Sequence, residues 1–231
     1  MNNNYVLLSE KEWHLGLFED LQRKMPNSTW TLIRSVDEFT FKNLNGIKPN
    51  KVFIPHWSHF IPKEVYENFE CIVFHMTDLP YGRGGSPLQN LIERGHKWTK
   101  ISALKVEKGL DTGDVYLKKD LNLAGTAREI FFRANEIIEQ MIHQMIHQIV
   151  EEMVLPTPQK GEVTVFKRRK PEMSNIDKLD TINKVYDYIR MLDADGYPSA
   201  YIENDFFKFI FTNAVVLDDK MIEANVRIIK K

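Results

Sequence analysis

The sequence predicts an α/β protein, with a Rossmann-like parallel sheet as its core and a small α+β appendage behind it. Two observations lead to this prediction. Short apolar runs alternate with amphipathic segments over the first half of the chain, a pattern typical of parallel strands joined by helical crossovers. Apolar side chains at helical spacing within residues 10–24 indicate the first crossover. The strands of this half are expected at 5–9, 30–35, 51–55 and 70–75.

The second half of the chain is predicted to add two strands and the longest helix. Two alternating runs indicate the strands, and a broad apolar stripe indicates a helix with one buried face. The strands are expected at 100–108 and 115–123, and the helix at 126–152.

A change of composition marks the expected domain boundary. LPTPQKGE at 155–162 holds two prolines and a glycine among polar residues, which favours a connecting segment. The sequence therefore predicts a catalytic core over residues 1–154, and a linker with a small C-terminal appendage over residues 155–231.

Composition excludes several classes of protein. The 231 residues carry a net charge of -1 and one short basic run, KRRK at 167–170, so no nucleic-acid partner is expected. Cys71 is the only cysteine, which rules out an internal disulfide and a cysteine metal cage. His143 and His147 have the spacing of helical metal ligands, but no acidic third ligand follows in register, so no metal is predicted.

The sequence shows no sign of export or of a membrane partner. The N-terminus lacks the basic region and long apolar core of a signal peptide. No stretch reaches the ~18 apolar residues that span a bilayer. A cytoplasmic location is therefore predicted.

Two strand ends and one turn supply the candidate site. In parallel sheets, ligands collect beyond the carboxyl ends of the strands. His56 and His75 stand at such ends, a glycine-containing loop follows His75, and Asp111 begins a turn further along the chain.

The loop HMTDLPYGRGG resembles the signature loop of the formyltransferase family that uses 10-formyltetrahydrofolate. In that family a strand ends in Asn-x-His, a Ser-Leu-Leu-Pro-type loop and a glycine-containing turn follow, and an aspartate comes later in an Asp-x-Gly turn. The matching positions here are His75, Thr77-Asp78-Leu79-Pro80, Arg83-Gly84 and Asp111-Thr112-Gly113. The separation between the histidine and the aspartate also resembles the family's spacing.

This resemblance implies a role for each matched residue. His75 and Asp111 are expected to be catalytic, and Arg83 to bind the substrate unless it is merely a surface arginine. The residues expected to bind 10-formyltetrahydrofolate are His56, Trp57, Thr77, Asp78, Leu79 and Pro80, with packing in the core as the alternative for Trp57. In formyl transfer an amine attacks the formyl carbon, and each donor aimed at the resulting oxyanion contributes about 3–4 kcal/mol. A histidine held by an aspartate suits this chemistry, because it can donate or accept a proton near neutral pH.

Val73 departs from the family pattern. It stands where the family has an asparagine whose amide donates to the oxyanion, and valine cannot donate. His56, Ser58 and Thr77 are the candidates to replace that donor. We expect His56 to do so, because it replaces a glycine in the stretch HWSHFIP at 56–62, which is similar to a segment lining the family's cofactor pocket.

The tail directs the functional prediction. YDYIRMLDADGYPSAYI at 186–202 resembles the segment after the catalytic domain in the sugar N-formyltransferase branch. The resemblance implies formylation of the amino group of a nucleotide-linked amino sugar, as in surface glycan biosynthesis, with a small-molecule nucleotide-sugar partner. Apolar strands at 206–211 and 225–229 leave open whether they pair within one chain or across a homodimer.

Three alternatives remain beside this prediction. Formylation of methionyl-tRNA is disfavoured because the tail is short and carries no basic excess. Formylation of a small purine precursor explains the core but not the tail. A non-catalytic folate- or nucleotide-binding homologue is favoured by Val73 alone, against the presence of both His75 and Asp111.

Overall fold

The computed structural model describes residues 3–151 and 155–231, with side chains described as far as residue 147 in the helix that ends at 151. The strands are β1 (Asn4–Ser9), β2 (Thr29–Ile33), β3 (Lys51–His56), β4 (Cys71–His75), β5 (Arg83–Gly84), β6 (Trp98–Lys105), β7 (Val115–Asn122), β8 (Val165–Phe166), β9 (Tyr201–Glu203), β10 (Phe207–Asp218) and β11 (Met221–Lys230). The helices are α1 (Leu15–Lys24), α2 (Phe41–Ile47), α3 (Lys63–Tyr66), α4 (Pro87–Glu93), α5 (Ala127–Glu151) and α6 (Ile182–Arg190). Short 3₁₀ helices lie at Glu12–His14 and Pro171–Ser174.

A six-stranded sheet in the order β2-β1-β3-β4-β6-β7 forms the centre of the fold. β1 pairs in parallel with β2 and β3, and β3 pairs in parallel with β4, as the alternation of apolar and amphipathic segments predicts. β6 joins β4 antiparallel, which the sequence pattern does not reveal. This reversal places Ser102 beside His75 across the strand pair.

The parallel strands are apolar because both of their faces are covered. β1 is buried at every position after its first, and β3 at every position before its last. On strands buried on both sides, alternation gives way to continuous apolar runs. The aromatic rings of Tyr5, Trp30 and Phe53 lie 5.1–5.9 Å apart across three neighbouring strands.

The chain separates into two compact units, each made of three segments. The first unit comprises Met1–Arg83, Lys100–Leu121 and Phe132–Val165. The second comprises Gly84–Thr99, Asn122–Phe131 and Phe166–Lys231. The expected boundary between residues 154 and 155 lies next to residues outside the described part of the chain, and it stays a prediction.

The second unit contains the C-terminal sheet, in the antiparallel order β11-β10-β9, with α6 packed against β10. Thr181 caps α6 by accepting a hydrogen bond from the backbone N–H of Lys184. The start of α5 carries a capping box: Glu129 accepts from the Thr126 N–H at 2.8 Å, and Thr126 Oγ1 accepts from the Glu129 N–H at 3.3 Å. The C-terminal sheet and α6 match the predicted α+β appendage, whereas α5 lies within the residues predicted as core.

Within the described parts of the chain, every helix is too short or too polar to traverse a lipid bilayer.

Candidate active site

His75 ends β4 with its ring nearly buried, at 7% exposure. Its Nε2 lies 2.8 Å from the carbonyl oxygen of Gly82. A carbonyl oxygen can only accept, so Nε2 carries the proton in this arrangement. The imidazole is therefore fixed in one orientation by the loop that follows its own strand.

Asp111 faces the other nitrogen of this ring. Its Oδ2 lies 3.7 Å from His75 Nδ1, and the two side chains are 13% and 8% exposed. The carboxylate therefore lies beside the ring nitrogen that the Gly82 carbonyl does not contact. The structure thus brings together the two residues that the sequence nominates as catalytic.

The Asp111–Gly113 turn has a demanding backbone. Asp111 has φ 52°, in the left-handed region that aspartate tolerates better than most residues. A Cβ on Gly113 would lie 1.8 Å from the backbone oxygen of Lys105, so only glycine fits there. The Asp-x-Gly pattern is therefore what this close approach to β6 requires.

The loop after His75 is held by buried hydrogen bonds. Ser102 Oγ donates to the Thr77 carbonyl at 2.7 Å and accepts from the Leu79 N–H at 3.3 Å. Thr77 is fully buried, and its hydroxyl donates to the Gly82 carbonyl at 3.3 Å. Since Gly82 O also accepts from His75, the loop and the His75 ring are bound to the same carbonyl oxygen.

Asp78 is held by a lysine in β7. Lys118 Nζ lies 2.6 Å from Asp78 Oδ1 and also donates to the Leu79 carbonyl. Pro80 follows Leu79 through a cis peptide bond. The proposed contact of Asp78 with a cofactor stays a prediction, as do those of Thr77, Leu79 and Pro80.

Arg83 is bound to a glutamine that the sequence does not single out. Its Nε and Nη2 donate to Gln159 Oε1 at 3.1 and 2.8 Å. The Gln159 amide nitrogen donates in turn to the carbonyls of Asp111 and Gly113, at 2.9 and 2.8 Å. The predicted role of Arg83 in substrate binding stays a prediction; its described partner is Gln159.

The residues at the end of β3 have different surroundings. The half-buried His56 ring lies 6.3 Å from the Trp13 ring. Trp57 packs edge-on against Phe39, and it also contacts the apolar cluster that contains Ile54. Its buried Nε1 has no hydrogen-bond partner among the residues that the structure describes. Ser58 is exposed. That His56 replaces the missing amide donor stays a prediction.

Val73 itself lies in an apolar setting. It is partly buried and packs against two apolar clusters, one containing Ile54 and Cys71, the other Leu79 and Leu104. A valine is well accommodated there, and it offers no polar group to the site.

A second buried histidine lies near the end of β1. His14 is 3% exposed, its Nδ1 lies 2.5 Å from Ser9 Oγ, and Ser9 pairs in register with His56. Burial, then the nearby His56 and Lys11, lower the pKa of His14 to about 3, against a smaller opposing effect from a hydrogen bond with Asn135. The ring is therefore neutral near pH 7. The helical pattern that contains His14 gives no signal of this burial.

Comparison with known proteins identifies the class. Residues 15–151, more than half of the chain, match the family model "Formyl transferase", and residues 171–229 match "Methionyl-tRNA formyltransferase, C-terminal domain". The chain belongs to the formyl transferase family, and the prediction of a formyltransferase is confirmed.

One solved structure is similar over the whole chain. It is the methionyl-tRNA formyltransferase from Clostridium thermocellum, 48% identical, with a TM-score of 0.92 over 99% of both chains. Among curated proteins, the methionyl-tRNA formyltransferase of Thermodesulfovibrio yellowstonii is 25% identical over 169 residues, covering 71% of this chain and 54% of the relative. The chain spans about half the length of the curated relatives that it matches first. The predicted Rossmann-like core with its small C-terminal sheet is confirmed.

More distant structures share the fold. HypX from Aquifex aeolicus, solved in complex with tetrahydrofolic acid, has a TM-score of 0.77 at 18% identity over 91% of this chain and 37% of HypX. A 4-N formyltransferase from Francisella tularensis has a TM-score of 0.67 at 15% identity, over 88% of this chain and 93% of that one.

The prediction of a nucleotide-linked amino sugar as substrate is wrong. The methionyl-tRNA formyltransferase is 48% identical over the full chain, whereas the 4-N formyltransferase is 15% identical. The tail that suggested a sugar acceptor matches the C-terminal domain model of methionyl-tRNA formyltransferases. The predicted absence of a nucleic-acid partner is contradicted by the same finding. That prediction rested on the net charge of -1 and on the shortness of the basic run at 167–170, and neither property excludes local contacts with phosphates.

Proposed function

We propose that the protein transfers a formyl group from 10-formyltetrahydrofolate to the amino group of methionyl-tRNA. The observation that carries this proposal is the 48% identity with the methionyl-tRNA formyltransferase of Clostridium thermocellum over 99% of both chains. The pairing of His75 with Asp111 supports it, because an acid–base pair is what an attacking amine requires.

The site offers donors that suit a folate. When bound, 10-formyltetrahydrofolate supplies a formyl carbon that an amine can attack. The buried Trp57 Nε1, without an acceptor among the described residues, is a donor that a ring carbonyl or nitrogen would satisfy. We propose that His56, Trp57 and the loop Thr77–Pro80 line the cofactor's position, with the loop held in place by Ser102 and Lys118.

His75 and Asp111 divide the proton transfers between them. The proton on His75 Nε2 can be donated to an oxyanion in place of the Gly82 carbonyl. The attacking amine must lose a proton, and the Asp111 carboxylate accepts it directly or through His75. The bond between the formyl carbon and the folate nitrogen would then break, and the proton would be returned to that nitrogen as tetrahydrofolate leaves. Because both side chains are largely buried, the pair acts where water competes little.

The tRNA would require basic groups for its phosphates. Lys167, Arg168 and Lys170 are exposed and lie together in the second unit. Arg169, between them, is instead bound to Glu93 and lies over the Tyr188 ring. We propose that the three exposed side chains contact the phosphate backbone, which positions an RNA without selecting its sequence.

The direct test is to incubate the protein with purified methionyl-tRNA and 10-formyltetrahydrofolate. The measured product is the formylmethionine that mild deacylation releases from the tRNA. We expect turnover with the wild-type protein and a loss of about 100-fold or more in His75→Ala and Asp111→Asn. His147→Ala, which changes an exposed histidine on α5, is the matched control and should retain full turnover. If methionyl-tRNA is not formylated under conditions where another amine is, the proposed substrate is refuted.

A further inference from the structure

Gln159 connects two parts of the candidate site that are distant in sequence. Its side-chain nitrogen donates to the carbonyls of Asp111 and Gly113, and its oxygen accepts twice from Arg83. It lies in the segment 155–162, whose composition is that of a linker. All four residues belong to the first unit.

The hydrogen-bonding capacity of this amide is fully used. A glutamine amide has two N–H donors and an oxygen with two lone pairs, and here each finds a partner at 2.8–3.1 Å. The opposite orientation of the amide would set its N–H groups against the Arg83 guanidinium and its oxygen against two carbonyls. Arg83 therefore selects the orientation in which Gln159 holds the Asp111–Gly113 turn.

Backbone pairing places Gln159 at this turn. Two residues earlier, Thr157 forms both hydrogen bonds of an antiparallel bridge with Val115, at 2.8 and 2.9 Å. Further along, Thr164 bonds to the backbone of Pro80 and Arg83. The segment thus joins the Asp111 turn on one side and the loop after His75 on the other; we call residues 157–164 the strap.

The turn that Gln159 holds determines where the Asp111 carboxylate lies. Gln159 binds the carbonyls of the first and last residues of the Asp111–Gly113 turn, and Asp111 itself has φ 52°. A side chain in such a conformation points elsewhere if the backbone relaxes. The distance of 3.7 Å between Asp111 Oδ2 and His75 Nδ1 depends on this backbone.

We propose that Gln159, oriented by Arg83, is a positioning residue that holds the Asp111 carboxylate against His75 for formyl transfer. This inference rests on the proposed function. Gln159 acts through Asp111, and Arg83 acts through Gln159, in series.

The first test is Gln159→Glu, which keeps the oxygen that accepts from Arg83 and replaces the amide nitrogen, with both donors to the turn, by a second oxygen. We expect kcat to fall by about 10- to 100-fold, as for other losses of a group that orients a reacting side chain. The KM for methionyl-tRNA should change less than about threefold on the same reasoning. Gln140→Glu, the same substitution at an exposed position of α5, is the matched control and should leave kcat unchanged.

A double-mutant cycle with Asp111→Asn separates positioning from general stability. If Gln159 acts through Asp111, Gln159→Glu should lower kcat little further in the Asp111→Asn background, because the effects of the two substitutions on kcat are then not additive. An equal loss of kcat in both backgrounds, or a loss confined to KM, overturns the proposal. If thermal unfolding shows that Gln159→Glu is not folded, Gln159→Asn takes its place in the cycle, since it keeps the amide but is one methylene shorter.

An NMR measurement distinguishes a failure of this inference from a failure of the proposed function. The His75 ring resonances of the ligand-free protein should move in Gln159→Glu in the direction that Asp111→Asn moves them, and stay in place in Gln140→Glu. Unmoved His75 resonances refute the positioning role, whatever substrate the protein formylates. Moved resonances support it even where methionyl-tRNA is not a substrate.

Discussion

At the scale of single residues, the site depends on groups that fix a proton's position. The carbonyl oxygen of Gly82 sets the tautomer of His75, and the Asp111 carboxylate faces the opposite nitrogen. Neither contact requires a residue of unusual chemistry. What matters is that a loop carbonyl and a turn carboxylate reach the same ring from two sides.

His14 gives the residue-scale prediction for pH. Its folded-state pKa, about 3, lies below the ordinary value of 6.5, so the unfolded chain holds more protons on this group between those values. The free energy of unfolding should therefore decrease as the pH falls through that window, by up to about 1.4 kcal/mol per pH unit from this group.

His14→Gln tests this dependence, because glutamine can hydrogen-bond but does not titrate. Urea unfolding at pH 7.5 and pH 5 should show a smaller difference in the variant than in the wild type. His59→Gln, at a partly exposed histidine paired with Glu10, serves as control. The same pH difference in His14→Gln and in the wild type would show that the buried ring does not cause it.

At the scale of elements, the Asp111–Gly113 turn packs closely against the backbone of β6. The backbone oxygen of Lys105 in β6 occupies the space in which a side chain on Gly113 would begin. The turn that presents Asp111 can therefore approach β6 only with a glycine at its third position. Sequence motifs of this kind encode steric fit as much as chemistry.

Gly113→Ala gives the prediction at this scale. The added Cβ must displace the turn, so we expect a loss of about 1–3 kcal/mol in unfolding free energy together with a reduced kcat. Gly46→Ala in α2 is the control, since nothing lies within 4 Å of its added Cβ, and it should be neutral or stabilising by up to about 1 kcal/mol. Equal stability of the two variants in urea titrations would contradict the steric argument.

At the scale of the whole molecule, charge is unevenly distributed along a chain that is nearly neutral. The net charge is -1, yet Lys167, Arg168 and Lys170 are exposed within four consecutive residues. An RNA-binding surface requires local positive charge, and a neutral total is compatible with it.

The corresponding prediction concerns salt dependence. Replacing Lys167, Arg168 and Lys170 together by glutamine should weaken methionyl-tRNA binding and reduce the slope of log Kd against log salt by about 1 for each phosphate that is no longer neutralised. The measurement is tRNA binding at several salt concentrations. Replacing Lys208 and Lys230 of the C-terminal sheet, together with Lys220 in the turn between β10 and β11, makes the same charge change elsewhere. If both triple variants weaken binding equally, net charge and not the 167–170 run is responsible.

Much of this molecule could be predicted from its sequence, for local reasons. The parallel strands are continuous apolar runs, and the loop after His75 and the Asp111 turn are short motifs. Gln159 could not be found in this way, because its partners Asp111 and Gly113 are far along the chain and glutamine is common in linkers. The antiparallel entry of β6 and the burial of His14 also depend on tertiary packing that no local pattern encodes. The acceptor was predicted wrongly, because the short stretch 186–202 resembles the sugar N-formyltransferase branch, whereas residues 171–229 as a whole match the C-terminal domain of methionyl-tRNA formyltransferases.

The strap limits where the C-terminal appendage of such a protein could be replaced by that of a relative. Suppose that the C-terminal part is exchanged for that of a relative at the stretch 155–162, which has the composition of a linker. The exchange would leave His75 and Asp111 unchanged in sequence. It would nevertheless replace Thr157, Gln159 and Thr164, which bond in turn to β7, to the Asp111 turn and to the loop after His75. A recombinant protein with a new acceptor specificity would therefore have to keep the strap together with the core. Its new appendage would have to be joined beyond residue 164.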